Sequence, residues 1–136
     1  MPLEKKNPAA VAAPVGPYSH LVRVGADVDW VILSGQVGLD ETGDLPLDVY
    51  AQTVNVFANI ERLLASERLG PEAIAKILTL AVSPEQAGEF RRARDEAFAR
   101  WFPTGDHPAQ SLAYVAGLAR PEMLIEVEVW AVAPRA

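Results

Sequence analysis

The sequence contains no cysteine, which excludes a disulfide framework and thiolate chemistry. It has no apolar run approaching the roughly 20 residues that cross a bilayer. Its first residues carry two lysines but lack the continuous apolar stretch of a signal peptide. The GxxxxGK, GxGxxG and GxSxG motifs of nucleotide-binding and hydrolytic enzymes are also missing. We therefore expect a cytoplasmic protein with no membrane partner and outside those enzyme classes.

Histidine is scarce as well. The only two, His20 and His107, are far apart in the sequence and lack the spacing typical of metal ligands. The acidic loop around Asp40 lacks the spacing of a calcium-binding loop and is interpreted as a solvated turn. We expect no metal site and no cofactor.

Positive charge is in the minority, since 12 Lys and Arg stand against 18 Asp and Glu, for a net charge of −6. Nucleic-acid-binding proteins gain much of their affinity by neutralising phosphates, so this balance predicts no nucleic-acid partner. The densest basic cluster is interleaved with acidic residues and is interpreted as a solvated helix face. Its arginines are Arg91, Arg92, Arg94 and Arg100.

The length of 136 residues fits a single domain spanning residues 1–136. Four prolines within the first 17 residues, at positions 2, 8, 14 and 17, predict an extended, partly mobile N-terminal stretch, with the lead-in placed at residues 1–13. Two short β-like runs follow, 20–24 and 30–33, and the glycine- and aspartate-containing segment between them predicts a hairpin turn.

Helical periodicity begins at Asp48 and continues to about Ser66. Its apolar stripe comprises Val49, Thr53, Val56, Phe57, Ile60, Leu63 and Leu64. A β-rich run, 74–82, comes next. Ser83 then predicts a serine-capped helix start with Pro84 in the first turn and Gln86 at the third position. That helix is expected to reach about Phe102, burying Phe90, Ala97, Phe98 and Trp101.

Two further strands are predicted over 110–118 and 123–132. The resulting order, β-β-α-β-α-β-β, indicates an α/β (α+β) domain in which two helices cover one face of a mixed sheet. The other face is also apolar, so we expect it to be buried by oligomerisation.

Glu126 and Glu128 share one face of the last strand, alternating with Ile125, Val127 and Val129. A carboxylate within a sheet requires a partner, a change of protonation or water in front of it. Two interpretations stay open: an ion pair with an arginine or an exposed sheet face, and a functional acid or base.

Five short motifs follow one another along the chain. They are Gly16-Pro17-Tyr18-Ser19, Leu33-Ser34-Gly35-Gln36, Gln52-Thr53 before Asn59, His107-Pro108-Ala109, and Ile125-Glu126-Val127-Glu128. In order and spacing they resemble the RidA/YjgF (Rid) family of reactive-intermediate deaminases, from about Pro14 to Val132. The resemblance implies a chorismate-mutase-like fold and a homotrimer whose sheets form a central barrel, with small-molecule ligands in clefts between subunits.

Deaminating members of that family hydrolyse 2-imino acids, or their enamine tautomers, to 2-keto acids and ammonia without a cofactor. Their Pro-Ala-Arg-Ser motif supplies an arginine that grips the substrate carboxylate. In this chain the motif reads Pro108-Ala109-Gln110-Ser111. An amide cannot neutralise a carboxylate, and loss of a buried charged partner costs about 3–5 kcal/mol. Activity on simple 2-imino acids is therefore in question.

The resemblance also implies roles for individual residues. Glu126 corresponds to the glutamate that orients a water or transfers a proton, and Ser111 is paired with it as a catalytic candidate. The expected substrate-binding residues are Tyr18, Ser34, Gly35, Gln110, Leu112 and Asp95. Arg23 and Arg120 are two cations that could replace the missing arginine, although each is more simply a surface residue.

Three functions stay open. The first is a cofactor-independent hydrolase of an imine, an enamine or a related small carbonyl compound. The second is a non-catalytic trimer that binds a small molecule or acts as a regulatory protein. The third, an RNase, is disfavoured by the acidic balance and by the absence of a catalytic histidine pair.

Overall fold

The computed structural model describes residues 2–135, which form a mixed α+β fold as predicted. A five-stranded mixed sheet carries both helices, and a two-stranded ribbon is added to it. The elements are β1 Leu3–Lys6, β2 Leu21–Val24, β3 Val28–Ile32, β4 Gln36–Val37, α1 Val49–Ser66, β5 Ile74–Ala81, α2 Ala87–Trp101, β6 Ala109–Tyr114 and β7 Ile125–Pro134. The predicted order is correct apart from β1 and β4, which are additional.

The main sheet has the order β3-β7-β5-β6, and the short β4 also pairs with β7. Strand β7 is antiparallel to β3, β4 and β5, whereas β5 and β6 are parallel and joined through α2. Leu78 of β5 lies opposite Glu128 on one side and Ser111 on the other. This register determines which candidate residues share a face.

Helix α1 begins where predicted, because the Asp48 side chain accepts a hydrogen bond from the Ala51 backbone N–H at 2.8 Å. The predicted stripe is buried except for Leu63, which is 39% exposed. Gln52, named as part of a motif but not of the apolar stripe, is fully buried as well. Its Nε2 donates to the Pro46 and Glu122 carbonyls and its Oε1 accepts from the Leu124 N–H, so every contact ties α1 to a loop.

Helix α2 starts later than predicted. Pro84–Gln86 form a 3₁₀ turn, and the helix proper begins at Ala87. Ser83 Oγ donates to the Glu85 carboxylate at 2.7 Å and does not cap the backbone, so the expected serine cap was wrong. The four side chains that were expected to be buried are buried.

The core lies between the helices and one sheet face. Ile125, Val127 and Val129 of β7 have no exposed surface and pack in one cluster with the apolar residues of α1 and α2. Full burial of such a side chain contributes about 1.5–3 kcal/mol. The sheet face that packs against α1 and α2 is called the helix face, and the opposite face is called the open face.

The N-terminal segment differs from the prediction. Residues 3–6 form β1, which pairs antiparallel with β2, and Leu3 packs with Val28, Ala75 and Val132. The predicted hairpin between the second and third strands was wrong, because β3 pairs with β7 instead. Strand β6 is also shorter than predicted and ends at Tyr114.

Candidate functional site

Strand parity places the candidate residues on two different faces. Glu126 lies opposite Leu80 and projects to the open face, as do Glu128 and Ser111. Gln110 lies beside Ile77, which is fully buried under the helices, so Gln110 is on the helix face. The candidate site is therefore in two parts, which we describe in turn.

The first part surrounds Glu126. Its carboxylate packs so closely over Gly35 that a Cβ at Gly35 would overlap it. The neighbouring Ser34 is exposed, and its carbonyl accepts a hydrogen bond from Gln36 Nε2 at 3.0 Å. Within residues 2–135, Glu126 has neither an ion pair nor a hydrogen bond. The structure thus brings together three predicted residues: Glu126, Gly35 and Ser34.

Ser111 is not part of that group. Lys76 of β5 donates a hydrogen bond to Ser111 Oγ at 2.7 Å. Strand β5 separates Ser111 from Glu126, and two strand spacings amount to about 10 Å. The two catalytic candidates therefore share a face in one chain without being in contact.

The second part lies where the chain enters β6. The segment around Tyr18 docks on it, because Ser19 Oγ donates to the His107 carbonyl at 2.6 Å and Ser19 N donates to the Pro108 carbonyl at 3.0 Å. Gln110 Nε2 donates to the Pro17 carbonyl at 3.2 Å. The segment that carries Tyr18 and the Gln110 amide are thus held next to each other.

Further along β6, Leu112 is on the helix face but 39% exposed, because the helices do not cover this edge strand. An apolar side chain is thus available beside Gln110. Asp95, the candidate on α2, is 62% exposed and accepts hydrogen bonds from the neighbouring Arg94. No hydrogen bond joins Asp95 to Gln110 among the described residues.

Two buried cations stand close to this second part. Lys5 is 6% exposed in its side chain and donates to the Asp106 carbonyl at 2.7 Å. Arg94 is 11% exposed in its side chain. Burial lowers the pKa of His107, and the positive charges of Lys5 and Arg94 lower it further. The imidazole ring packs against Phe98, with ring centroids 5.8 Å apart.

The two cations named from the sequence are elsewhere. Arg23 is exposed on β2, opposite Glu4. Arg120 forms an ion pair with Glu122 at 3.0 Å on an exposed loop. Among residues 2–135, neither forms a hydrogen bond with Gln110.

Two cations near the candidate residues, Lys76 and Arg94, were not predicted to lie there, although the sequence contains a signal for each. Lys76 is the only lysine or arginine in the five strands of the main sheet as the structure bounds them. Arg94 falls four residues after Phe90 and four before Phe98, so it shares a helical face with two buried aromatic residues.

Other kinds of site find no support in residues 2–135. No group of three or more His, Cys, Asp or Glu side chains there could hold a metal ion. None of the helices in this range is both long enough and apolar enough to cross a bilayer. A cavity of about 620 Å³ is lined mainly by the loop after β6, and its lining includes no residue of either part of the site.

Comparison with known proteins gives a consistent result. The family model described as endoribonuclease L-PSP matches residues 8–133. A RutC family protein of Haemophilus influenzae is 31% identical over 132 residues, which are 94% of this chain and 92% of that protein.

Two solved structures extend the likeness to the fold. YyfB of Yersinia pestis, from the conserved Rid family, has a TM-score of 0.83 and 28% identity, covering 98% of this chain and all of its own. E. coli TdcF, solved with bound serine, has a TM-score of 0.70 and 25% identity over 88% of this chain and 91% of its own.

Proposed function

The chain belongs to the RidA/YjgF family, and on that basis we propose that it hydrolyses a small imine, an enamine or a related carbonyl metabolite without a cofactor. The observation that carries the proposal is the state of Glu126. This carboxylate projects from a sheet face, is held over a glycine, and has no partner among residues 2–135. A carboxylate with free lone pairs is suited to binding a water molecule.

The chemistry needs little beyond a positioned water. Glu126 accepts a proton from the water as the water oxygen bonds to the imine carbon; the C=N π electrons pass to nitrogen, and Glu126 returns that proton to the nitrogen. The carbinolamine then collapses: the hydroxyl proton passes through Glu126 to the amine nitrogen, the C–N bond breaks, the C=O bond forms, and ammonia leaves with Glu126 again a carboxylate. Proton transfer by one positioned group contributes about 10²–10⁴-fold in rate.

We further propose that the ligand lies between two copies of the chain in a homotrimer. The part around Glu126 and the part around Gln110 project to opposite faces, so one chain cannot enclose a small molecule with both. The open face also exposes Trp30 by 52% and Ile32 by 64%, and a second copy would cover this surface. The open face of one subunit would then meet the edge strand of the next.

The size and charge of the ligand are suggested by TdcF, whose structure contains serine, a small amino acid with a carboxylate. A ligand of that kind presents an anion to the β6 side of the cleft. There Gln110 offers an amide, which costs about 3–5 kcal/mol of binding relative to a charged partner. Either the natural ligand lacks this carboxylate or another cation receives it.

The test measures ammonia release from 2-iminopropanoate, generated in situ by an amino-acid oxidase. We compare the natural chain with Glu126→Gln, Gln110→Arg and the double variant, and we use Glu128→Gln as the matched control on the same strand face. We expect the natural chain to hydrolyse the imine. Glu126→Gln should lower the rate at least about 100-fold, whereas Glu128→Gln should retain it.

The remaining outcomes are equally informative. If only Gln110→Arg is active, and Glu126→Gln abolishes that activity, the water-positioning group is intact and the natural substrate is not a simple 2-imino acid. If no variant releases ammonia, hydrolysis of 2-imino acids is refuted, and the alternative, a non-catalytic trimeric binding or regulatory protein, is favoured.

A further inference from the structure

We propose that Arg94 binds the carboxylate of the ligand and so replaces the arginine that position 110 lacks. This inference rests on the proposed function, because it assumes a small ligand at the entrance of β6. It adds the cation that receives the carboxylate in this chain, so that the carboxylate is directed toward α2 rather than toward the strand.

The topology brings the part of α2 that carries Arg94 toward the start of β6, where Gln110 lies. Because β5 and β6 are parallel, α2 runs back along the sheet and its C-terminal end lies near the start of β6. Phe98, near that end, contacts His107 just before the strand. Arg94 is one helical turn earlier, which moves it about 5–6 Å in the direction that β6 takes toward Gln110.

The two side chains are also on the same side of the sheet. Gln110 is on the helix face, next to the buried Ile77. Arg94 follows the helical phase of Phe90 and Phe98, both buried against that face, and its guanidinium carbon is 5.6 Å from the centre of the Phe90 ring. Its effect on the pKa of His107 agrees with this placement.

Arg94 keeps capacity for an anion. Its Nε and Nη2 both point to a single oxygen, Asp95 Oδ1, at 3.0 Å. Among the described residues nothing accepts from Nη1, and the Asp95 side chain is 62% exposed to solvent, which screens its charge. A guanidinium that is 11% exposed, with one edge unpaired, can make the two parallel hydrogen bonds that a carboxylate accepts.

The competing cations are placed less well. Lys76 is on the open face and is bonded to Ser111, on the opposite side of β6 from Gln110. Lys5 is bound to the Asp106 carbonyl and lies 3.5 Å from its carboxylate.

The test compares the binding of 2-oxobutanoate with that of its uncharged methyl ester, using ligand-observed NMR on the full chain. Arg94→Gln should weaken the acid about 10- to 100-fold, the range for hydrogen bonds to a charged group, and leave the ester unchanged. Arg91→Gln makes the same change at an exposed position of the same helix and should alter neither affinity.

A second variant acts in the opposite direction and does not depend on the stability of Arg94→Gln. Asp95→Asn removes the competing carboxylate, so it should raise the affinity for 2-oxobutanoate about threefold or more and leave the affinity for the methyl ester unchanged. The inference is overturned if the natural chain binds acid and ester equally, or if neither variant changes the preference. Glu126-dependent ammonia release that is indifferent to Arg94→Gln would refute this inference and leave the proposed hydrolase standing.

Discussion

The two faces of the main sheet are built from alternate residues of the same strands, yet they differ in almost every respect. In β7, Ile125, Val127 and Val129 are fully buried under the helices. The residues that alternate with them, Glu126, Glu128 and Trp130, are all half-exposed. A single strand therefore carries the core on one side and the candidate chemistry on the other.

The difference separates stability from function. On the helix face of β5 and β7 the apolar side chains pack against α1 and α2, so those residues are constrained by packing. On the open face the single chain provides no partner for Glu126 or Glu128 within residues 2–135. These positions are available for ligand binding or subunit contact. Substitutions on the helix face should therefore change mainly stability, and those on the open face mainly binding or assembly.

The largest expected effect is a difference in the free energy of unfolding between substitutions at two adjacent residues of β5. Ile77→Ala removes a fully buried side chain from the helix face and should lower the free energy of unfolding by about 2–5 kcal/mol. Leu78→Ala, one residue later on the open face, should cost clearly less in a monomeric state. Urea titration of both variants measures the contrast, and equal losses would contradict the separation of the two faces.

A second prediction concerns assembly. Ile32→Glu places a charge on the exposed part of the open face, which we expect to be the contact with a second copy. Sedimentation should then show a shift from trimer to smaller species, with helix content retained. Val54→Glu, at a position of α1 that is 43% exposed, is the control and should leave the assembly intact. A natural chain that sediments as a monomer would refute the trimer itself.

Much of the fold could be predicted because its signals are local. The stripe around Phe57 and the strict alternation around Val127 follow from backbone geometry, and the structure contains both elements. The pairing of strands is not local: β3 joins β7, which is about a hundred residues away in sequence, and not β2 nearby. Nothing in the turn between β2 and β3 reveals that choice.

The sequence named the candidate residues, which stay a prediction, but it could not give their arrangement. Glu126, Gly35 and Ser34 do lie together, and Tyr18 lies near Gln110. The division of these residues between two faces depends on sheet register, which no short motif encodes. Arg94 was overlooked because its charge suggested a solvated face, whereas its phase between two buried aromatic residues indicated burial.

Two glycines three residues apart, Gly35 and Gly38, test whether stability and activity can be changed separately. A Cβ at Gly38 would lie 2.6 Å from the Cα of Gln52 and 2.8 Å from its carbonyl oxygen, and the helix backbone cannot move away. A Cβ at Gly35 would meet the Glu126 side chain, which can rotate toward solvent. Gly38→Ala should therefore lower the free energy of unfolding by about 1–3 kcal/mol.

Gly35→Ala should change stability by less than about 0.5 kcal/mol but displace the Glu126 carboxylate and abolish ammonia release. Thermal unfolding and the hydrolysis assay on both purified variants measure the two effects. If Gly35→Ala kept full activity, the position of Glu126 over Gly35 would be irrelevant to catalysis. The open face would then hold a solvated carboxylate and not a water-positioning group.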